Sequence, residues 1–320
     1  MKYELFIHHG NEIIFPVVLD EIKLTSERRG APETLRFTVL KDSGLNFTEG
    51  DAVSLKVDGK KVFFGFVFTK KRDKEQQIEV TAYSQLRYLT NKDTYVYANK
   101  RASDVLSMIA KDFNLQLGSV DNTQYVIPKQ IEENSTLFDI ILNALDKTLL
   151  ATGVQYILYD DYGKLTLKSI QNMKLDLLVD AETGENFTYE SSIDENTYNK
   201  IKLCYKNDET GVTDVYVAQD SQHFNEWGIL QFFESIDKSV ANPQVRANNL
   251  LRLYNQKTRK LKIDKAFGDV RVRGGSFIGV ALNVGDIIVQ NFMMVENVTH
   301  NFTESHHSMD LTLRGGEFIA

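Results

Sequence analysis

Asp58-Gly59-Lys60-Lys61-Val62-Phe63-Phe64-Gly65-Phe66-Val67-Phe68 is the stretch that sets the fold class. Asp58-Gly59 is a hairpin signal, because both central positions of a type I′ turn need a left-handed backbone. Residues 62–68 are apolar at successive positions. Both faces of that strand are therefore expected to be covered, one by a core and the other by a neighbouring domain or a second subunit. Upstream, Val53, Leu55 and Val57 alternate with other residues after a turn at Glu49-Gly50-Asp51, and Phe37 and Val39 alternate before it. Downstream, Ile78, Val80 and Ala82 alternate again. Period-two patterning with Gly and Asp turns predicts an antiparallel barrel or sandwich over residues 1–95. Lys70, Lys71, Arg72 and Lys74 fall between two of these strands. They are expected on a solvated hairpin turn rather than at a phosphate or lipid-headgroup site.

Near residue 100 the period changes. Val105, Leu106, Ile109, Ala110 and Phe113 have helical spacing, with Ser103 as the expected cap and Asn114 as the stop. A second helix follows Asn134-Ser135, with Leu137, Ile140, Ile141, Ala144, Leu145 and Leu149 on one stripe and Gly153 placed to end it. A hairpin of residues 154–159 and 165–167 turns at Asp160-Asp161-Tyr162-Gly163. Residues 176–200 are polar and predict a connection with an edge strand. Strand patterns return at 200–205 and 214–218 around a turn at 207–211. Asn242-Pro243 signals a third helix, and residues 270–313 are again strand-like, with a turn at Gly285-Asp286. Residues 64–67 followed by 78–81 share a pattern with residues 294–300 followed by 309–313, which hints at an internal duplication.

The chain has 320 residues, 42% of them hydrophobic and 25% charged, enough for two or three domains with their own cores. A net charge of −7 argues against a general nucleic-acid binder. Cys204 is the only cysteine, so no internal disulfide forms, which points to an intracellular or cytoplasmically assembled protein. The N-terminus lacks a signal-peptide core, and no apolar run is long enough to span a bilayer. The Asn-x-Ser/Thr triplets at Asn46, Asn134, Asn186, Asn297 and Asn301 are then expected to be chance.

Catalytic patterns are missing. No nucleophile elbow, zincin motif or phosphate-binding loop occurs. Arg273-Gly274-Gly275 and Arg314-Gly315-Gly316 sit at strand ends and predict turns or bulges. His300 and His306/His307 flank a hairpin and are expected to be solvated and incidental rather than metal ligands. The carboxylate pairs Glu132-Glu133, Asp160-Asp161 and Asp194-Glu195 are expected to be solvated loop acids. No enzyme activity, cofactor or metal is therefore expected. Trp227, Phe232, Phe233, Phe64 and Phe66 are the candidate core or interface anchors, since aromatic side chains dominate such contacts.

Trp227-Gly228-Ile229-Leu230-Gln231, then Arg246-Ala247-Asn248-Asn249-Leu250-Leu251, then a Gly268-Asp269 turn, residues 294–302 and residues 309–313 occur in an order that resembles one family. It is the baseplate hub proteins of contractile phage tails and phage-tail-like bacteriocins, most closely the hub of PBSX-like defective prophages, related to the late control protein D group. Gly50-Asp51, residues 64–67 and Leu86-Arg87-Tyr88-Leu89 are similar to that family's first barrel. The resemblance implies a mainly β chain with two similar antiparallel, tube-like β-barrels and a smaller α+β middle domain. The first barrel would span 1–95, the middle domain 96–184 and 223–263, and the second barrel 185–222 and 264–320. It implies a homotrimeric structural hub that adapts a sixfold tail tube to a threefold central spike. Its partners would be the tube protein, the spike protein and other baseplate proteins, with no specific nucleic-acid binding and no membrane insertion. The chain would assemble in the bacterial cytoplasm and end in the particle. A tail-tip wall hydrolase and a glycan-binding protein are the alternatives.

Overall fold

The computed structural model describes residues 1–42, 44–180, 183–207, 211–237, 240, 242–283 and 288–315. The expected turn at Gly285-Asp286, the centre of the turn at 207–211 and Gly316 lie outside them.

The N-terminal strands are β1 (Tyr3–His9), β2 (Glu12–Ile14), β3 (Val18–Glu27), β4 (Thr34–Leu40), β5 (Ala52–Val57), β6 (Lys60–Arg72) and β7 (Gln77–Tyr83). They pair antiparallel in the order β3-β4-β7-β6-β5-β1-β2. Asp58 (φ 46°) and Gly59 (φ 75°) make the expected tight turn. The alternating positions converge: Ile7, Ile22, Leu35, Val53, Leu55, Phe63, Val67 and Ala82 are buried in one core.

The chain then passes through a 3-10 turn (Gln85–Thr90) into β8 (Lys92–Lys100), α1 (Ala102–Asp112), β9 (Leu117–Val120), β10 (Ile127–Thr136), α2 (Leu137–Thr152), β11 (Tyr156–Asp160) and β12 (Leu165–Ser169). Thr136 caps α2 by accepting the Asp139 N–H at 3.0 Å, and Gly153 ends it at φ 76°. In α1 the cap is Arg101 rather than the expected Ser103. The Asp104 carboxylate reaches back to the Arg101 N–H at 2.9 Å, and Ser103 is buried inside the first turn. The apolar stripes of α1 and α2 pack together with Tyr95, Tyr97, Leu165 and Leu167.

The C-terminal strands are β13 (Lys174–Asp180), β14 (Asn186–Ser192), β18 (Thr258–Phe267), β19 (Phe277–Asn283), β20 (Ile288–Phe302) and β21 (His307–Gly315). Between β14 and β18 the chain inserts β15 (Lys200–Lys206), β16 (Thr213–Gln219), α3 (Ser221–Trp227), β17 (Gln231–Ile236) and α4 (Pro243–Tyr254). The inserted pairing differs from the expected partition. β15 pairs with β16 and β17, not with the C-terminal sheet. The reason is a common face: Ile201, Leu203 and Ala218 all point at Ala247 and Leu250 of α4. The expected third helix does lie against the α+β unit, where the Asn249 side-chain amide donates to the Leu150 carbonyl at 2.9 Å.

Strand order repeats. The C-terminal set runs β14-β18-β21-β20-β19-β13, and the N-terminal set runs β3-β4-β7-β6-β5-β1. Taken along the chain, β13, β14, β18, β19, β20 and β21 stand where β1, β3, β4, β5, β6 and β7 stand. One feature of the register agrees as well. β6 and β7 slip by one residue between Val67 and Thr69, and β20 and β21 slip between Val295 and Asn297. At the slip, Val67 exchanges hydrogen bonds with Gly50 and Asp51, and Val295 does so with Gly275 and Ser276. Gly50 (φ 93°) and Gly275 (φ 90°) share the conformation this bulge demands. The halves differ elsewhere: β1–β5 is antiparallel while β13–β19 is parallel, β2 has no counterpart, and the shifts within β3–β4, β5–β6, β13–β19 and β18–β21 are not repeated in the other half.

The two halves are joined edge to edge. Residues 22–27 of β3 pair antiparallel with residues 297–302 of β20, giving one sheet of 13 strands. No sheet closes on itself among the described residues.

Candidate functional site

The seam between β3 and β20 joins the two halves through side chains as well as backbone. Thr25 and Thr299 share a hydroxyl hydrogen bond at 3.2 Å. Arg28 binds Glu296 twice, through its Nε at 2.8 Å and through its backbone N–H to the carbonyl at 2.9 Å. Gly274 donates to Ser26 Oγ at 3.1 Å. A Cβ on Gly274 would lie 2.2 Å from the Glu27 carbonyl carbon, so only glycine allows this approach.

Beside the seam, charge is buried. Glu33 follows β3 and is 8% exposed; Asp160 ends β11 and is 2% exposed. Burial pushes the Glu33 carboxyl up to about 8, with Arg273 pulling against it and Asp160 adding to it. Burial likewise lifts Asp160 to about 6, opposed by the Gly163 N–H on its Oδ1 at 2.5 Å. Arg273 donates to the Asp160 carbonyl at 3.0 Å and lies over the Tyr159 ring at 4.4 Å. Ser26 donates to Glu33, and the Glu33 carbonyl accepts from Ser84 N–H at 3.0 Å. This cluster ties β3, the α+β unit and the loop before β19 to one point. Asp160 is thus corrected from solvated acid to interior acid, because β11 ends beneath Arg273 and the turn at Gly163. Glu132 is buried too and accepts from Asn143 at 3.1 Å, whereas Asp194 and Glu195 are exposed as expected.

His300 also departs from expectation. It is 2% exposed, and its Nε2–H donates to the Val272 carbonyl at 2.9 Å. With His300 neutral, its Nδ1 accepts from the His307 Nε2–H, 3.0 Å away. Burial is the main cause that holds His300 down to about 3 and His307 to about 4. No group of three His, Cys, Asp or Glu side chains converges among the described residues.

The anchors separate into two groups. Phe64 and Phe66 lie on the outer face of β6 in a row with Phe68. Phe64 meets Tyr162 at 5.7 Å, and Phe66 and Phe68 meet Tyr88 at 6.1 and 6.0 Å. The second face of β6 is therefore covered by the chain's own α+β unit. Phe232 is half-buried beside Tyr198 and Tyr254 under α4. Phe233 faces the other way and is 55% exposed, on the same sheet face as exposed Val217 with Lys202 of β15 between them. Trp227 ends α3, half-buried, and stacks on His223 at 3.9 Å. The structure does not bring Trp227 to the seam. Glu33 and Arg273 were not foreseen as a pair; the only signal was the double glycine after Arg273, which marks a close backbone approach.

The family model described as YQBQ-like matches residues 22–314. Two Bacillus subtilis (strain 168) proteins, an uncharacterized protein YqbQ and the phage-like element PBSX protein XkdQ, are each 30% identical over 319 residues, covering 96% of this chain and 95% of theirs. Among solved structures, the 43 kDa tail protein of prophage MuSo2 from Shewanella oneidensis superposes with a TM-score of 0.70 at 12% identity, covering 97% of this chain and 98% of that one. A tail protein from Neisseria meningitidis MC58 gives 0.69 at 11% identity, covering 99% and 98%. The Escherichia coli c3393 protein, a type VI secretion component described as similar to T4 tail proteins gp27 and gp5, gives 0.61 at 11% identity, covering 99% and 78%. The molecule has the mainly β fold of phage tail proteins, and the chain belongs to the YQBQ-like family.

Proposed function

We propose that this protein is the structural baseplate hub of a contractile tail or tail-like particle, where it adapts a sixfold tail tube to a threefold central spike. The observation that carries this is the repeated strand order in two halves joined edge to edge. Three copies of such a chain offer six similar β units to a hexameric tube and three identical chains to a trimeric spike. Kinship with a PBSX phage-like element protein and the tail-protein fold support the same setting. The two β halves act as tube-like units. The α+β unit and the inserted β15–α4 unit brace them from outside. Its partners are further copies of itself, the tube protein, the spike protein and neighbouring baseplate proteins. Assembly takes place in the bacterial cytoplasm, and the protein ends in the particle.

Catalysis is the weaker reading, for a geometric reason. Both carboxyls lifted toward neutral pH are sealed inside the junction. The apolar groove between α2, α4 and β19–β20 is lined by Leu149, Ile170, Phe277 and Phe292 with Lys174 and Arg252, and among the described residues no carboxylate lines it. A glycosidase needs an acid pair facing its substrate.

Light scattering at several concentrations tests the proposal. A mass near three times 36.5 kDa supports the hub. A monomer at every concentration, together with clearing of a peptidoglycan gel, would move the assignment to a wall hydrolase.

A further inference from the structure

The intrachain seam uses only half of what the repeated architecture offers. In the seam, the distal half of β20 lies between β21 and β3. Its counterpart is the distal half of β6, residues 69–72. This segment pairs with β7 on one side and with no strand on the other among the described residues. The counterpart of β3 is β14. It pairs with β18 on one side and, among the described residues, with no strand on the other. One member of the same strand pair is therefore left open in each half.

We propose that β14 of one copy pairs antiparallel with the distal half of β6 of a second copy, remaking between chains the seam that β3 and β20 make within one. The number of copies, three, rests on the hub reading; the pairing itself is read from the chain's own seam.

The register follows by transfer. Through their partners on β21 and β7, Asn297, Val298, Thr299 and His300 correspond to Thr69, Lys70, Lys71 and Arg72. Through Leu35 of β4 and Leu261 of β18, Leu24 and Thr25 correspond to Tyr189 and Glu190. The seam sets Thr25 opposite Thr299. The interchain copy then sets Glu190 opposite Lys71. Both residues are exposed, and the Lys71 side chain, 76% exposed, pairs among the described residues with the exposed Glu79 at 3.4 Å. In the same register Lys70 and Arg72 fall opposite Ser191 and Tyr189, so Lys71 and Glu190 are the one pair of opposite charges set face to face. This gives Lys71 a role that a solvated turn does not.

One position differs between the two seams in a useful way. The Arg28–Glu296 ion pair of the intrachain seam transfers to Ile193 and Phe68. A charged pair in one junction and an apolar pair in the other discourage exchange of partners, since a mismatch would strand a charge against an apolar side chain. The open β14 edge also contains neither Lys nor Pro, the residues that usually guard an unpaired edge.

Cross-linking the full-length K71C/E190C chain tests the pairing. Mild oxidation should give a reducible ladder that stops at three chains, with the wild-type chain, which keeps Cys204, run beside it. K71E and E190K alone should each weaken self-association about tenfold, and K71E/E190K together should restore it to within about threefold. A trimeric mass without a 71–190 cross-link overturns the pairing and leaves the hub reading standing. A monomeric mass at every concentration, with no cross-link, overturns both.

Discussion

Glu33 and His300 oppose one another in how pH acts on the fold. Glu33 is raised to about 8 from 4.5, so what it contributes is complete below pH 4.5 and is lost as pH rises through 8. His300 and His307 are lowered to about 3 and about 4, so their contribution is complete above pH 6.5 and is lost as pH falls toward those values. Stability is therefore limited on the acid side by two histidines and on the alkaline side by Glu33, with Asp160 acting in the same direction over a lower range that ends near pH 6. Glu33→Gln keeps an acceptor for Ser26 and cannot ionise. It should stabilise the protein at pH 8 by about 1–3 kcal/mol and change little at pH 4.5, measured as thermal midpoints at the two pH values. An equal shift at both would mean that ionisation of Glu33 is irrelevant to the fold. None of this was visible in the sequence, where Glu33 is one acid in a polar turn and Asp160 sits in a run that looks solvated. Long-range burial, not local pattern, sets these groups.

At the scale of elements, the paired bulges allow a controlled comparison. Gly50 and Gly275 hold nearly the same φ, yet a Cβ on Gly50 meets nothing within 4 Å, while one on Gly275 would come within 2.5 Å of Ile157 Cγ2. Gly50→Ala should cost about 1 kcal/mol, the conformational term alone, and Gly275→Ala about 2–4 kcal/mol. Urea midpoints of the two variants decide the matter; equal losses would show that the α+β unit does not press on the second bulge. Elements with strong local grammar were legible in the sequence: the Asp58-Gly59 turn, the stripes of α1 and α2, the Gly153 stop and Pro243 at the start of α4. The pattern shared by residues 64–81 and 294–313 also has a counterpart in strand order. Two features were not legible. β15 and β16 alternate like any strand, and only the covering face of α4 decides which sheet they join. The helix α3 is seven residues long, too short for a periodic signal.

At the scale of the molecule, stability of the N-terminal half depends on residues near the far end of the chain. Ile22 is fully buried in the N-terminal core, and Phe302 of β20 is buried in that same core. A fragment of residues 1–95 lacks Phe302 and exposes the whole outer edge of β3. It should self-associate at micromolar concentrations, where adding a peptide of residues 294–315 restores a monodisperse species. Size-exclusion profiles with and without the peptide read the outcome; a fragment that is monodisperse alone would show that the first β unit is autonomous.

The seam also sets a clock on biosynthesis. Thr25 leaves the ribosome 274 residues ahead of its partner Thr299. At roughly 5–20 residues per second, β3 waits about 14–55 s before β20 can reach it. Throughout that interval the nascent chain presents a bare strand edge to other nascent chains on the same message. Slow translation, or a crowded polysome, should therefore favour mispaired chains over native ones, and a chaperone that shields β3 during those seconds would raise the yield of native protein.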